Sequence, residues 1–320
     1  MIRLFGIALG AGVTSAVLFA VAGTGSPAAL VLAYLAPLPI MIVGLGFTHA
    51  VGGAAALIGC GAIGVAMGPL AALLFLVALG LPAWHLPRLA LLNRPLAAGP
   101  AGAPALRWFP IPTLLLNLAA AAAGPVLVIG VALVWRFGGY EQAIAALSTK
   151  LAALLAREGL PSAFPFADLV RLAPLLMAAS SVVMLAVNLW LAARSVQLSS
   201  LLVRPWPNLP DALHLPRLTV AGFAALGAAS LLPGPFGIAA AVLAAALGVL
   251  FAFEGLAAAH VLTRGLTARI VTLTAIYLAT ALLMPWPLLA LALLGCIDCL
   301  VPSLRQGSGI RITKLPTRRQ

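Results

Sequence analysis

The chain has 320 residues, of which 63% are hydrophobic and 8% are charged. A soluble domain carries about 25% charged residues, so this composition excludes a water-soluble globular protein and indicates that lipid is its main solvent. The net charge of +12 comes from 18 Lys and Arg against 6 Asp and Glu. Because the basic residues are spread along the loops, with one cluster in the tail, no nucleic-acid partner is predicted.

Long apolar segments follow one another from the amino end, and a membrane-spanning helix needs about 20 such residues. The first segment resembles a signal peptide, but more apolar segments follow it, so we interpret it as an uncleaved first helix. Prolines at 233–235 and 284–287 predict hairpin turns. The predicted fold is all-α, a polytopic transmembrane bundle of about ten spans, or eight if a short hairpin is re-entrant. The spans are 4–22, 27–47, 49–67, 69–87, 110–135, 168–193, 218–233, 236–258, 270–284 and 287–302.

The distribution of Lys and Arg predicts the orientation of these spans. With ten spans, 14 of the 18 basic residues fall on one side of the membrane. The positive-inside rule places that side, and so both termini, in the cytoplasm. We therefore predict a single integral membrane domain over 1–320 in the bacterial inner membrane, with a basic cytoplasmic tail at 303–320. An aromatic belt at the predicted span ends agrees with this, formed by Trp84, Trp108, Trp135 and Trp190.

The predicted second span contains the sequence YLAPLP at 34–39. Two prolines so close together must distort a helix and free carbonyl groups, which a membrane tolerates only where protein or water covers them. A plain kink and a contribution to a binding cavity are both open interpretations. Asn117 and Asn188 add polar groups inside spans, where interhelical hydrogen bonding is their expected role. The candidate ligand-binding residues are therefore Tyr34, Pro37, Asn117 and Asn188.

The predicted first span carries small residues at helical spacing, namely Gly6, Gly10 and Gly12. Small residues four apart let helix backbones approach closely. They predict either packing inside the bundle or a docking face for a partner membrane protein.

The predicted outer loop 136–167 contains apolar residues that share one helical face. Gly159 and Pro161 end the pattern. We predict an amphipathic helix, which either lies on the outer surface or forms a lid over an outward-facing pocket. Its apolar face consists of Ile144, Leu147, Leu151, Leu154 and Leu155.

Two acids, Glu254 and Asp298, lie in apolar segments, and such acids are rare enough to suggest a function. Both predicted helices run from outside to inside, which brings the two acids to the cytoplasmic rim. Two interpretations stay open: ion pairs that tie the last helices together, or a ligand, proton or partner site. Burial would raise their pKa and a basic partner would lower it. The basic side chains within reach are His260, Arg264, Arg269 and Arg305.

No motif predicts a metal, a cofactor or a catalytic group. Cys296 and Cys299 form one CxxC within an apolar segment, whereas zinc needs four ligands, so buried thiols are predicted. There is no Gly-rich phosphate loop in a strand–helix context, and no Ser/His/Asp arrangement is favoured. An enzyme is accordingly the least supported class, although the sequence leaves it open.

Four stretches together resemble the YybS-like family of bacterial membrane proteins: 34–39 (YLAPLP), 188–194 (NLWLAAR), 254–260 (EGLAAAH), and 295–298 (GCID) followed by Arg305. The resemblance covers nearly the whole chain and carries no established activity. The family is distantly similar to the substrate-binding S-components of energy-coupling-factor transporters. Those components hold a vitamin or metal and dock to an energising module through small residues on the first helix.

This chain departs from that pattern in two respects. The matching positions of the first helix, Gly6 with Gly10 and Ala8 with Gly12, are GxxxG and AxxxG rather than AxxxA. It also has more predicted spans than the usual six. Both departures put docking to an energising module in doubt.

The leading hypothesis is a multi-pass inner-membrane protein that binds a small solute and helps to transport it, with a partner supplying energy. The second is a scaffold that recruits cytoplasmic partners through the basic inner loops and tail. A proton-coupled carrier that uses Glu254 or Asp298 and a membrane enzyme are further alternatives. An outward-facing cavity under the 141–158 helix would favour solute capture.

Overall fold

The computed structural model describes residues 2–95, 106–157 and 166–301. These residues are almost entirely helical, which confirms the predicted class. Their helices are α1 (Ile2–Ala20), α2 (Pro27–Tyr34), α3 (Leu38–Gly46), α4 (His49–Met67), α5 (Pro69–Phe75), α6 (Leu81–Leu91), α7 (Ile111–Phe137), α8 (Tyr140–Arg157), α9 (Phe166–Leu198), α10 (Leu209–Ala212), α11 (Arg217–Ala229), α12 (Pro235–Leu262), α13 (Arg269–Leu282) and α14 (Trp286–Leu300). A π-helical turn, Leu76–Gly80, joins α5 to α6.

Seven helical stretches of the described chain are long and apolar enough to cross a membrane. They coincide with the seven longest predicted spans. Their bounds are Ile2–Thr24, Pro27–Gly46, His49–Met67, Pro69–Leu91, Ile111–Phe137, Phe166–Leu198 and Pro235–Leu262. The remaining three predicted spans are the shorter apolar helices α11, α13 and α14. The longest of these three has 15 residues, about 22 Å of helix against a hydrocarbon thickness of about 30 Å.

Local sequence explains where several helices begin. Ser26 precedes α2, and its hydroxyl accepts a hydrogen bond from the Ala29 N–H at 3.2 Å. Thr48 caps α4 in the same way through the Val51 N–H at 3.3 Å. Such caps satisfy N–H groups that the first helical turn leaves without intrahelical partners.

The described residues form two compact units. The first contains the described residues of Met1–Trp206 and Phe223–Leu247, and the second contains those of Pro207–Gly222 and Gly248–Gln320. In the first unit, α1 packs on α3 and α4, and α3 also packs on α6 and α9. Helix α7 packs on α9, and the amphipathic helix α8 packs on both. Broad apolar stripes at these contacts form the core of the first unit.

A short antiparallel ribbon in the first unit was not predicted. Its strands are β1 (Asn93–Pro95) and β2 (Leu106–Trp108), which lie between α6 and α7. The sequence carries little signal for it because each strand has only three residues, well below the usual length of about five or six.

The second unit contains a very close helix crossing between its part of α12 and α14. A Cβ atom at Gly255 would lie 1.9 Å from the Leu291 carbonyl oxygen, and a Cβ atom at Gly295 would lie 1.9 Å from the Phe251 carbonyl oxygen. Each glycine thus faces the backbone of the opposite helix. Only glycine permits this approach, as in other close helix contacts of membrane proteins.

The contact between α1 and α4 decides the role of one of the three predicted glycines. A Cβ atom at Gly12 would lie 2.5 Å from the Ala55 carbonyl oxygen. Gly6 and Gly10 lie on the exposed side of the same helix, and a Cβ atom at either would meet nothing within 4 Å. Gly12 therefore packs inside the bundle, while partner docking through Gly6 and Gly10 stays a prediction.

We expect Gly12→Leu to destabilise the protein, because overpacking a tight contact costs about 1–3 kcal/mol or more. Gly10→Leu, on the same helix, should retain or raise the melting temperature because leucine has the higher helix propensity. Thermal unfolding of both variants in one neutral detergent measures the difference. Equal melting temperatures for the two variants would contradict the α1–α4 packing.

Candidate functional site

The second candidate span is interrupted at the predicted place. Helix α2 ends at Tyr34 and α3 begins at Leu38. Pro37 and Pro39 have no N–H and cannot complete the helical ladder. Instead, the Leu38 N–H donates to the Leu35 carbonyl at 3.0 Å, so the Tyr34 carbonyl needs a donor from outside its own helix.

Side chains from two other helices satisfy the carbonyl groups of this break. The Asn188 Nδ2 on α9 donates to the Tyr34 carbonyl at 2.7 Å. The Ser15 hydroxyl on α1 donates to the Ala36 carbonyl at 2.6 Å. Both side chains are buried. Because a carbonyl in lipid without a donor costs several kcal/mol, these two bonds allow the break to exist.

The break brings three of the four candidate ligand-binding residues together, since Asn188 contacts the segment that contains Tyr34 and Pro37. The Tyr34 hydroxyl also forms a hydrogen bond with the Ser180 hydroxyl. Asn117 behaves differently, because its Nδ2 donates to the Thr113 carbonyl one turn earlier in its own helix, at 2.8 Å. Hydrogen bonding between helices is thus confirmed for Asn188, and ligand binding by these residues stays a prediction.

Ser15 and Ser180 were missed by the sequence analysis. Serine is common in apolar helices and can bond within its own turn, so neither position stands out. The available signal was the proline pair itself, because a break in a membrane helix requires donors from its neighbours.

A pocket of about 360 Å³ lies beneath the amphipathic helix α8 in the first unit. Exposed Trp135 is part of its wall, so the pocket reaches the surface of the unit. Its wall is almost wholly apolar and is formed by α7, α8, α9 and the first turns of α12. Among its lining residues are Val126, Gly130, Leu133, Tyr140, Ala143, Ile144, Leu147, Val170, Pro174, Pro235, Ile238 and Val242. We name this cavity the α8 pocket.

A second cavity of about 450 Å³ adjoins the α8 pocket and shares part of its wall, including Gly130 and Pro174. It extends along α8 to Leu151 and Leu154, which belong to the predicted apolar face. Lys150 is the charged side chain of its wall.

Sequence features explain why α8 folds back over the α8 pocket. Gly138 follows α7 with a φ of 77°, a conformation that favours glycine and reverses the chain. Ala143 and Ile144 are then buried against the bundle. A helix therefore forms at the predicted place with Ile144 buried, and its location in an outer loop stays a prediction.

Charged groups of α8 make further contacts with the bundle. Glu141 of α8 forms an ion pair with Arg171 of α9 at 3.1 Å, and Arg171 also pairs with Asp168 of its own helix at 3.6 Å. The Lys150 ammonium lies 5.7 Å from the centroid of the Phe137 ring. The ion pairs are well exposed, and exposed pairs contribute only about 0–1 kcal/mol each. Apolar contact therefore dominates the attachment of α8.

In the second unit, Glu254 and Asp298 are both buried. The Glu254 carboxylate accepts a hydrogen bond from the Leu215 N–H at 3.0 Å. The Leu215 carbonyl in turn accepts from the Cys299 thiol at 3.1 Å. The main chain of Leu215 therefore links α12 to α14, because its N–H and its carbonyl each bond to a side chain of one of these helices.

Two residues of the predicted inner-rim polar cluster, Arg264 and His260, have partners from outside it, and a shared role for the cluster stays a prediction. Arg264 forms an ion pair with Asp211 at 2.6 Å, an acid that the sequence analysis did not select. The hydrogen bond and charge of Asp211 raise the pKa of Arg264. His260 instead forms a hydrogen bond with the Tyr277 hydroxyl at 2.9 Å. Arg269 is exposed at the start of α13, and Arg305 lies outside the described residues.

The three cysteines have free thiols; of the two that were predicted to be buried, Cys299 is buried and Cys296 is half-buried. Within the part of the chain that the structure describes, no group of three or more His, Cys, Asp or Glu side chains could hold a metal ion.

Comparisons of the chain with protein families, curated proteins and solved structures gave no match. The resemblance to the YybS-like family stays a prediction.

We expect Asn188→Ala to lower stability by about 1–2 kcal/mol, because it leaves the Tyr34 carbonyl buried without its donor. Ser15→Ala, which removes a single heavy atom, should act in the same direction at the Ala36 carbonyl. Asn117→Ala is the matched control, since that side chain bonds only within its own helix turn. Thermal unfolding in detergent gives the comparison, and an equally large loss for Asn117→Ala would contradict the assigned role of Asn188.

Proposed function

We propose that this protein is a solute-binding membrane component, which holds a small apolar molecule in the α8 pocket and helps to move it across the bilayer. The α8 pocket is the observation that carries the proposal. Its volume of about 360 Å³ falls within the range of about 300–1,000 Å³ that small-molecule sites occupy. Its position under an amphipathic helix is the arrangement that favours solute capture.

The wall of the pocket supports an apolar solute. Its polar side chains are the phenol of Tyr140 and the indole of Trp135. An ionic or sugar-like solute would lose its hydration there without hydrogen bonds in return, which is costly. An apolar solute would instead gain about 25 cal/mol for each Å² of its apolar surface that is buried.

Helix α8 is the element through which the pocket would open. It contacts α7 and α9 mainly through small and aliphatic side chains, and Leu154 remains exposed. Its exposed ion pair with α9, between Glu141 and Arg171, contributes little stability. Outward movement of α8 would therefore separate a limited apolar contact and leave the bundle hydrogen bonds intact.

We also propose the finer topology: about ten spans, both termini in the cytoplasm, α8 on the outer face and the bacterial inner membrane as the location. The asymmetric distribution of Lys and Arg supports it. No nucleotide-binding motif was found in the sequence, so transport driven by ATP would need an energising partner.

Alkaline phosphatase fusions test this topology. We expect high activity for a fusion at residue 160, which follows α8, and low activity for one at residue 320. A fusion at 284, between α13 and α14, should be active with ten spans and inactive if that hairpin is re-entrant. High activity at residue 320 would contradict an even number of spans.

The scaffold is the second candidate function. It is supported by the exposed arginines of the predicted cytoplasmic side, among them Arg88, Arg94 and Arg107. Its other element, the basic tail at 303–320, lies outside the described residues. A scaffold does not require a ligand in the α8 pocket, and this separates the two functions experimentally.

Filling the pocket tests the solute-binding proposal. Gly130 on α7 lines the pocket, and a Cβ atom there would meet nothing within 4 Å. Gly130→Leu should therefore fold normally while it occupies the pocket. The wild-type protein should be stabilised saturably by members of a panel of fatty acids, long-chain alcohols and aromatic hydrocarbons. A ligand at about 100 times its Kd adds about 2.7 kcal/mol.

Gly124→Leu is the matched control, because Gly124 lies on the same helix, has equally open surroundings and is not part of the pocket wall. It should retain the ligand-dependent rise in melting temperature, and Gly130→Leu should lose it. The proposal fails if no panel member stabilises the wild type, or if the two variants respond alike.

A further inference from the structure

The β1–β2 ribbon lies at the boundary of two candidate spans. The span Pro69–Leu91 ends just before β1 begins at Asn93. The span Ile111–Phe137 begins shortly after β2 ends at Trp108. Such short connections hold the base of the ribbon at the membrane surface, at the level of the lipid headgroups.

Arg204 fixes this base in place. Its guanidinium is buried and donates to the Ala90 carbonyl at 2.7 Å and to the Phe109 carbonyl at 3.0 Å. These carbonyls lie on either side of the ribbon. Burial lowers the pKa of Arg204, although a guanidinium remains charged near neutral pH. The Phe109 N–H also donates to the Leu92 carbonyl at 2.9 Å, which closes the base.

The register of the ribbon gives its two faces different roles. Asn93 pairs with Trp108, and Arg94 pairs with Arg107. The Trp108 ring lies 5.9 Å from the buried Arg204 guanidinium carbon, so that face is turned toward the body of the unit. Successive residues of a strand point to opposite faces. Arg94 and Arg107 therefore share the outer face, where both are exposed.

Two like charges directly opposite each other destabilise an antiparallel pair, and an isolated two-stranded ribbon is only marginally stable. The ribbon strands and the two helices that flank them, α6 and α7, contain no acidic residue, because the first acid of the sequence is Glu141. In the described part of the first unit, neither guanidinium has a carboxylate within 4.0 Å. Exposed Arg88, in the last turn of α6, adds positive charge before the ribbon.

We propose that Arg94 and Arg107 form a binding site for the headgroup of an anionic phospholipid. A phosphate between the two guanidinium groups would remove their repulsion and accept paired hydrogen bonds from each. The base held by Arg204 keeps both side chains at the depth of the headgroups. The predicted cytoplasmic side agrees with this, since that leaflet carries negative surface charge.

Lipid titration followed by native mass spectrometry tests the site. The full-length protein in a neutral maltoside detergent is titrated with dioleoyl phosphatidylglycerol and, separately, with dioleoyl phosphatidylcholine. We expect tighter binding of phosphatidylglycerol. Each basic residue near a membrane contributes about 1 kcal/mol, so Arg94→Gln or Arg107→Gln should weaken binding about fivefold and the double variant about thirtyfold.

The double variant Arg318→Gln/Arg319→Gln is the matched control, because it removes the same charge from the tail. It should bind phosphatidylglycerol like the wild type.

Size-exclusion chromatography and the melting temperature without lipid show whether each variant is folded. Arg94→Gln should melt no lower than the wild type, because the substitution removes the repulsion between Arg94 and Arg107. Equal binding by wild type and R94Q/R107Q overturns the site, as does an equal loss in the tail variant. Displacement of the lipid by millimolar inorganic phosphate would overturn the assignment to a phospholipid headgroup.

Discussion

The backbone of a membrane helix must satisfy its own hydrogen bonds, and the second span of this protein violates that requirement between Tyr34 and Leu38. The arrangement of the first unit around α3 depends on how the violation is corrected. Ser15 on α1 and Asn188 on α9 supply the missing donors, so two helices distant in sequence converge on the break. Apolar side chains could pack in several registers, whereas these two hydrogen bonds are satisfied in one.

The same unit combines this closely packed part with a looser one. At the α1–α4 contact, Gly12 leaves no room for even a Cβ atom. Around α7, in contrast, Gly124 and Gly130 face open space, and the α8 pocket separates α8 from part of the bundle. Loosely packed elements with few buried contacts have the lowest local stability. The proposed solute site lies in this looser part, beside α8.

Charged groups lie both inside and on the surface of each unit. In the second unit, buried Glu254 uses a main-chain N–H, while Arg264 pairs with Asp211 closer to solvent. In the first unit, Arg204 is buried beneath the ribbon and Arg94 and Arg107 remain outside. Buried charge is tolerated where hydrogen bonds surround it, and main-chain groups supply such bonds to Glu254 and Arg204.

The sequence by itself determined the helical membrane class, the seven long apolar helices, the break at Pro37 and the amphipathic character of α8, because each follows from composition or from residues close together in the chain. Tertiary structure alone decided that Asn188 and Ser15 cap the break, that Gly12 packs while Gly10 stays open, that Arg264 pairs with Asp211, and that the pocket under α8 is apolar. These depend on which helix faces are adjacent. Residue spacing places a side chain on a face of its own helix, but the neighbour it meets is selected by the packing of the whole chain.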